Sequence, residues 1–449
     1  ETLKGLDSLS IIKGNLSIIG AKTVTTTDEE DEETITRHTG HAALETLDAL
    51  GELRFVVGDV EIAANPALED LTGLQNLVAI GGSFTLGSTN TLAYTLQPVR
   101  DDIFIPGNSG LVSLHGLEAL SDVSGDFSIS GNNALADLDG LCSLRSVGES
   151  LSLGFHARPI PSRIVGEEEV EDRLFFDDNA NLTDASLPAL ERTKHLIVRR
   201  AAKPANLSAP KLQDVEDLTL SGNPALGNAF DFPALSTVTG KLSVVDNQGT
   251  TSLLGFETLR QVQTLVIDTM PGLKSLDGLG ALEKAENVEV INLVLDDFSG
   301  LDRIREVNGI LYIGAVTTRS LAGLESLELA GGITLRENPE LETLEGLSSL
   351  TTLSETGLRV EDNPDLKSLD GLTSLTRTTT LFVESNPRLE SIGDFPRLTQ
   401  ATALLHLTDM PILSSLAGLS SLKTVGEFGI ARVPNLTTLE GLESLEEVE

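Results

Sequence analysis

Leucines three residues apart, then a short alternating stretch, then a polar turn: this pattern recurs from one end of the sequence to the other. Its clearest copy runs through Leu341, Leu344, Leu347, Leu350 and Leu353, the alternating pair Leu358 and Val360, and the turn at Asn363-Pro364, before restarting at Leu366. A period in the twenties marks a solenoid, because one such repeat cannot bury its apolar face alone and stacking must supply the core. The register starts at Leu3, Leu6, Leu9 and Ile12. It continues through coil openings at Leu44, Leu68, Leu111, Leu135, Leu182, Leu207, Leu226, Leu253, Leu273, Leu321, Leu341, Leu366, Leu389, Leu413 and Leu436. With a coil at Phe298 that lacks the opening leucine, this predicts roughly seventeen coils in one continuous, elongated solenoid over residues 1–449.

Each coil holds one strictly alternating segment, such as Val60 and Ile62, Phe127 and Ile129, Leu218 and Leu220, or Ile333 and Leu335. Alternation sends successive side chains to opposite faces, so these are short strands with one face inward. Stacked coils would pair them into a parallel sheet, each strand satisfied by its neighbours. The expected class is all-β.

An asparagine follows the strand at Asn65, Asn132, Asn223, Asn247, Asn338, Asn363 and Asn386, where other coils carry Met270, Met410 or Val433. Apolar substitutes place the slot inside, and a buried amide must be bonded. The expectation is a structural asparagine ladder running from coil to coil. Between the paired leucines, Lys4, Thr72, His115, Asp139, Asp277, Glu345, Asp370 and Glu440 vary freely and should face solvent. The glycine beside them, as at Gly116, Gly140, Gly346 and Gly418, is steadier, which suits a positive φ or a close backbone approach.

The stretch LVSLHGLEALSDVSGDFSISGNNAL, residues 111–135, resembles the receptor L-domain repeat, a leucine-rich repeat type found in growth-factor receptors and many microbial surface proteins. That resemblance covers nearly the whole chain and implies a right-handed parallel β-helix. It does not carry over any ligand contact, because the disulfide-bonded caps of the receptors have no counterpart here and the coils are far more numerous.

Three insertions interrupt the pattern at one phase, just after the strand: residues 20–41, 87–105 and 154–176. Each reads as a β-hairpin, with arms such as KTVTTT and TITRH around DEEDEE, or TLAYTL and IFI around QPVRD. Insertions at one phase map to one face, so three ribbons should stand in a row near the N-terminal end, about two coils or on the order of 10 Å apart.

Charge then narrows the function. The chain carries 68 acidic and 31 basic residues, a formal net charge of -37, which disfavours nucleic-acid backbones as partners. Within that field Arg192, Lys194, Arg199, Arg200 and Lys203 form a basic island directly after the third insertion. Two readings stand. The island, with Arg158 and Arg163 of the third hairpin, docks an acidic protein segment, such as the tip Asp28, Glu29, Glu30 and Asp31 of another copy. Alternatively, its own acidic neighbours neutralise it.

Catalytic constellations are sparse. His38 and His41 are the only close pair among six histidines and read as solvated, so no transition-metal site is assigned. Calcium (Ca) is the metal whose hard-oxygen preference suits the acidic hairpins, although no EF-hand loop is present. Asp177 with Asp178 and Glu361 with Asp362 are adjacent carboxylates, but they sit where a turn wants polar residues. The single cysteine, Cys142, excludes an intrachain disulfide and reads as incidental. No apolar run is long enough to span a bilayer as a helix. The sequence opens on Glu1 without a Met, so the missing signal peptide does not argue for the cytoplasm. LKGLDSL near the start and LEGLESL near the end are equivalent coil segments without polar caps, which predicts either a longer protein or head-to-tail stacking into filaments.

The expectation is a non-catalytic extracellular or cell-surface structural or adhesive protein, without cofactor, that binds protein partners or copies of itself. A β-helical polysaccharide-binding or polysaccharide-cleaving protein and a receptor ectodomain fragment are the alternatives.

Overall fold

A computed structural model describes residues 3–20, 22–27, 34–39, 44–87, 89–92, 101–105, 107–154, 179–200, 206–228 and 230–448. The fold is an all-β parallel solenoid of about fifteen turns, close to the number read from the leucine register. Two compact units divide the chain, Glu1–Ala234 and Leu235–Glu449.

In the first unit the alternating segments are strands Leu16–Ile19, Val60–Ala63, Phe84–Gly87, Phe127–Ser130, Ser146–Leu153, Arg192–Arg199 and Asp214–Ser221. They pair in parallel so that Leu16, Val60, Phe84, Phe127, Leu151, Leu196 and Leu218 stand in one column. From Val60 onward that column is buried, and the Phe84 and Phe127 rings stack with centroids 4.6 Å apart. A second small parallel sheet, Asp184–Ser186, Asn206–Ser208 and Phe230–Asp231, forms where the leucine spacing becomes irregular.

The second unit repeats the plan without interruption. Nine strands, from Thr237–Val245 to Thr424–Ala431, align Leu242, Leu265, Val288, Leu311, Ile333, Leu358, Leu381, Leu405 and Phe428 in register. Differences in coil length are absorbed as bulges at one place, for example between Leu353 and Leu358, so the inward column is undisturbed.

The asparagines connect coil to coil. In the first unit the backbone N–H of Asn65, Asn108 and Asn132 each donates to the side-chain oxygen of the next asparagine, Asn108, Asn132 and Asn179, at 3.1 Å. Their Nδ2 groups donate back to the carbonyls of Ile18, Ile62 and Leu86. Asn338, Asn363 and Asn386 repeat this in the second unit, where Val316 donates to Asn338. Asn223 donates to Val198, and Asn247 is fully buried. A left-handed residue precedes the slot in most coils, as at Ala64, Glu337 and Asp362.

Gly346 combines both reasons for a glycine between the leucines. Its φ is +117°, and a Cβ there would lie 1.9 Å from the Leu321 carbonyl oxygen of the preceding coil. Gly140 sits in a short 3-10 turn without a positive φ and is required by proximity alone, 2.0 Å from Leu114 O. Part of the acidic charge has a local structural use that the sequence did not reveal. The N–H groups of Gly116, Gly255, Gly300, Gly323 and Gly441 donate to the carboxylates of Glu118, Glu257, Asp302, Glu325 and Glu443 two residues on. A carboxylate there satisfies a turn N–H that has no ladder partner.

Candidate functional site

The first unit's departures from regularity begin at three glycines at the end of the alternating strand, Gly87 and Gly154 at one coil phase and Gly20 one residue later. A Cβ on Gly20 would lie 1.9 Å from Ala64 O, on Gly87 1.7 Å from Ser130 O, and on Gly154 2.1 Å from Arg199 O. The chain leaves the coil where the next coil's backbone crowds it, and only a residue without a side chain fits. The coil resumes at the asparagine slot, with Asn108 and Asn179 taking their places in the ladder, so the insertions leave the core intact.

The first two insertions are antiparallel, as their sequences predict, but they are not separate ribbons. Strands Lys22–Thr27 and Thr34–Thr39 form one hairpin, Thr89–Leu92 and Asp101–Ile105 the other, and Lys22–Thr27 pairs directly with Asp101–Ile105. The result is one four-stranded antiparallel sheet with Thr34–Thr39 and Thr89–Leu92 at its edges. Ribbons expected to stand apart at two-coil spacing thus merge, because strand edges brought together satisfy each other's backbone groups. The outgoing arm of the second hairpin starts at Thr89, two residues before the expected TLAYTL. The tip residues Asp28, Glu29, Glu30 and Asp31, together with His41, the third insertion with Arg158 and Arg163, the carboxylates Asp177 and Asp178, and Lys203, lie outside the described residues.

Strand Arg192–Arg199 carries Arg192, Lys194 and Arg199 of the basic island, and Arg200 follows it. Lys194 Nζ donates to both Glu149 oxygens, at 2.6 and 2.7 Å, and this bond, outweighing slight desolvation, raises its pKa. His195 Nδ1 lies 3.0 Å from Asp217. Arg192 is exposed and contributes to the field at Asp122. Burial pushes the Asp122 carboxyl up, but hydrogen bonds from Ser121 and Ser146 and the charges of Arg145 and Arg192 together hold it below its usual value. These side chains fit the neutralised reading.

Arg199 and Arg200 differ. Neither has an acidic side chain within ion-pair distance among the described residues. Arg199 is half-buried at the strand's end, its Nε is buried without a hydrogen-bond partner among the described residues, and desolvation with the adjacent Arg200 charge lowers its pKa. Arg200 is exposed at φ +49°, the left-handed position held by Gly131 and Gly222 in neighbouring coils. Both sit at the phase from which the third insertion departs, since Gly154 faces the Arg199 carbonyl. An unsatisfied, partly desolvated guanidinium is a ready partner for a carboxylate.

Elsewhere, the adjacent carboxylates Glu361 and Asp362 do not act as a pair. Glu361 is held by Arg359 at 3.0 Å, and Asp362 occupies a left-handed turn position. Arg359 also covers the Phe382 ring at 4.4 Å, and Phe382 stacks on His406. Cys142 is exposed and free. Among the described residues no group of three or more His, Cys, Asp or Glu is placed to hold a metal.

Fold and site together define the chain as a parallel β-solenoid with a hairpin sheet set on its first unit. No family model matches the sequence. A cell surface GPI-anchored protein of Arthroderma benhamiae is 31% identical over 113 residues, which is 24% of this chain and 29% of that protein. The match thus spans less than a third of that relative's length. No helix among the described residues is long and apolar enough to cross a membrane.

Proposed function

We propose that this chain is a non-catalytic extracellular or cell-surface solenoid of the receptor L-domain type that binds an acidic protein segment at the Arg199–Arg200 end of its basic strand. The observation that carries this reading is a guanidinium whose buried Nε has no partner among the described residues, next to a second arginine with no acidic partner among them, in a chain whose formal net charge is -37. The surface location is supported by the relative, itself described as a cell surface protein. The tip Asp28–Glu33 of a second copy is the acidic segment the chain itself supplies, and the hairpin sheet, rooted at the same coil phase, extends the contact. The engagement of Glu361 by Arg359 favours the binding role over a glycosidase-like carboxylate pair.

The probe is a synthetic peptide of residues 27–34, TDEEDEET, titrated into the full chain by calorimetry. Binding should weaken as salt rises, and Arg199→Ala with Arg200→Ala should weaken it by about tenfold or more, on the order of 1.4 kcal/mol. Equal affinity in the double variant sinks the assignment. Labelling of intact cells that express the chain with an impermeant amine reagent tests the location separately.

A further inference from the structure

The sequence has four Asn-x-Ser/Thr triplets, at Asn15, Asn181, Asn206 and Asn435, and the fold treats them unequally. Asn181 and Asn435 share one coil phase, the residue before the opening leucine, whereas Asn206 stands opposite Asp184, three residues further along the coil. In other coils that slot holds Asp365, Arg388 or Ile412 and points outward: the Asp365 and Arg388 side chains are 39% and 64% exposed, and Ile412 is 38% exposed. The exposure of Asn435 therefore follows from its phase and does not depend on its being in the last coil described.

Hydrogen bonding at Nδ2 separates the sites. Asn206 is half-buried in the three-stranded sheet and spends both hydrogens, donating to Asp184 Oδ1 at 3.2 Å and Ser186 Oγ at 3.0 Å. Asn181 donates to the Asn133 carbonyl at 2.7 Å. Asn15 is held through its oxygen, which accepts the Asp59 N–H at 2.9 Å. Asn435 is exposed at the outer corner of a turn closed by Leu436 N–H on Val433 O, and its amide makes no hydrogen bond among the described residues.

We propose that Asn435 is an N-linked glycosylation site and that Asn206 is not. The proposal rests on the extracellular reading, since the modification belongs to the secretory route. The donor is an oligosaccharide carried on a lipid diphosphate. Nδ2 of Asn435 bonds to the anomeric carbon, the carbon–oxygen bond to the diphosphate breaks, and the lipid diphosphate departs with the electron pair. Nδ2 loses one proton and keeps one.

Because the sugar is added before the coil closes, folding acts as the filter. A glycosylated Asn206 would keep one hydrogen for two acceptors and force a sugar into a half-buried sheet. A glycosylated Asn435 gives up no bond, and its sugar leaves the turn into solvent.

To test this, the full chain is expressed behind an appended secretion signal in a eukaryotic host, so that routing does not depend on the natural location. Secreted protein is treated with peptide N-glycosidase in heavy-oxygen water, which marks each occupied asparagine as labelled aspartate, and is mapped by mass spectrometry. Asn435 should be marked and Asn206 unmarked, and Thr437→Ala should remove the Asn435 mark with the loss of one glycan's mass. An unmarked Asn435, or a marked Asn206, in folded secreted protein overturns the proposal. Failure of the extracellular reading would appear only in the intact-cell labelling above.

Discussion

The two units build the same coil from the same rules and differ in what they hang on it. The first is interrupted by insertions that start at Gly20, Gly87 and Gly154, yet its asparagine ladder runs on through Asn108 and Asn179. The second has no such insertion and covers its outer surface with contacts between neighbouring coils. Arg260 pairs with Glu283, Lys284 with Glu306 and Arg305 with Glu328, while the hydroxyls of Thr351, Thr376 and Thr399 each donate to the preceding coil's carbonyl. The first unit has such contacts too, as Lys194 with Glu149, and adds a run in which Asp59, Ser83 and Asp126 each donate a backbone N–H to the side chain of the preceding coil, Asn15, Asp59 and Ser83. Stability lies in the inner column and ladder common to both units, and the outer positions are free to specialise.

If that division is right, changes to the inner frame should cost alike in both units. The largest effect is expected for Gly116→Ala in the first unit and Gly346→Ala in the second. Each adds a Cβ about 2 Å from a backbone carbonyl at a φ above +100°, for a loss of roughly 3 kcal/mol or more. Gly5→Ala, at a similar φ but with open space around it, should cost about 1 kcal/mol. Denaturant unfolding measures all three, and an equal cost at Gly5 would show that φ, not crowding, selects the glycine.

Next come the ladders. Asn108→Ala and Asn363→Ala each remove a buried amide and orphan a neighbour's N–H, so each should destabilise by about 2 to 4 kcal/mol. A large gap between the two would break the equivalence of the units.

Outer changes should be smaller. Removing residues 22–39 and 89–105 together, with short glycine links, should change first-unit stability by less than about 1 kcal/mol while reducing capture of the TDEEDEET peptide. Lys284→Ala in the second unit removes an exposed pair with Glu306 and should cost about 0.5 kcal/mol, falling further in high salt.

The smallest effect is at Asp122. Its folded pKa lies below the ordinary 3.8, so its contribution is present above that value and lost as pH falls through the folded pKa. Ser146→Ala removes a 2.6 Å hydrogen bond to its carboxylate and should raise that pKa, making acid unfolding begin at slightly higher pH. An unshifted acid limb would assign the depression to the Ser121 hydrogen bond and the arginines instead.

Period-three leucines, period-two strands, the asparagine slot and the coil glycines were all legible, because each reports a constraint that a residue and its near neighbours satisfy within one coil. The candidate site was legible only as a composition. Arg192 to Lys203 reads as a block of positive charge, but the carboxylate partners of Lys194 and His195, Glu149 and Asp217, lie 45 residues before and 22 after them. Only coil stacking at set register brings such residues together, so only the tertiary structure separates Lys194 from Arg199.

What the sequence determined by itself is the coil: its strands, its inward columns, its turn chemistry and the points where the chain leaves it. What the tertiary structure decided is everything that depends on which outer side chains meet across coils. That includes the merging of two hairpins into one sheet, the lack of an acidic partner for Arg199 and Arg200 among the described residues, and the unequal hydrogen bonding of Asn206 and Asn435. The physical reason is that burial repeats with the period of the chain, whereas lateral contacts depend on the length of each intervening loop, and loop length varies from coil to coil.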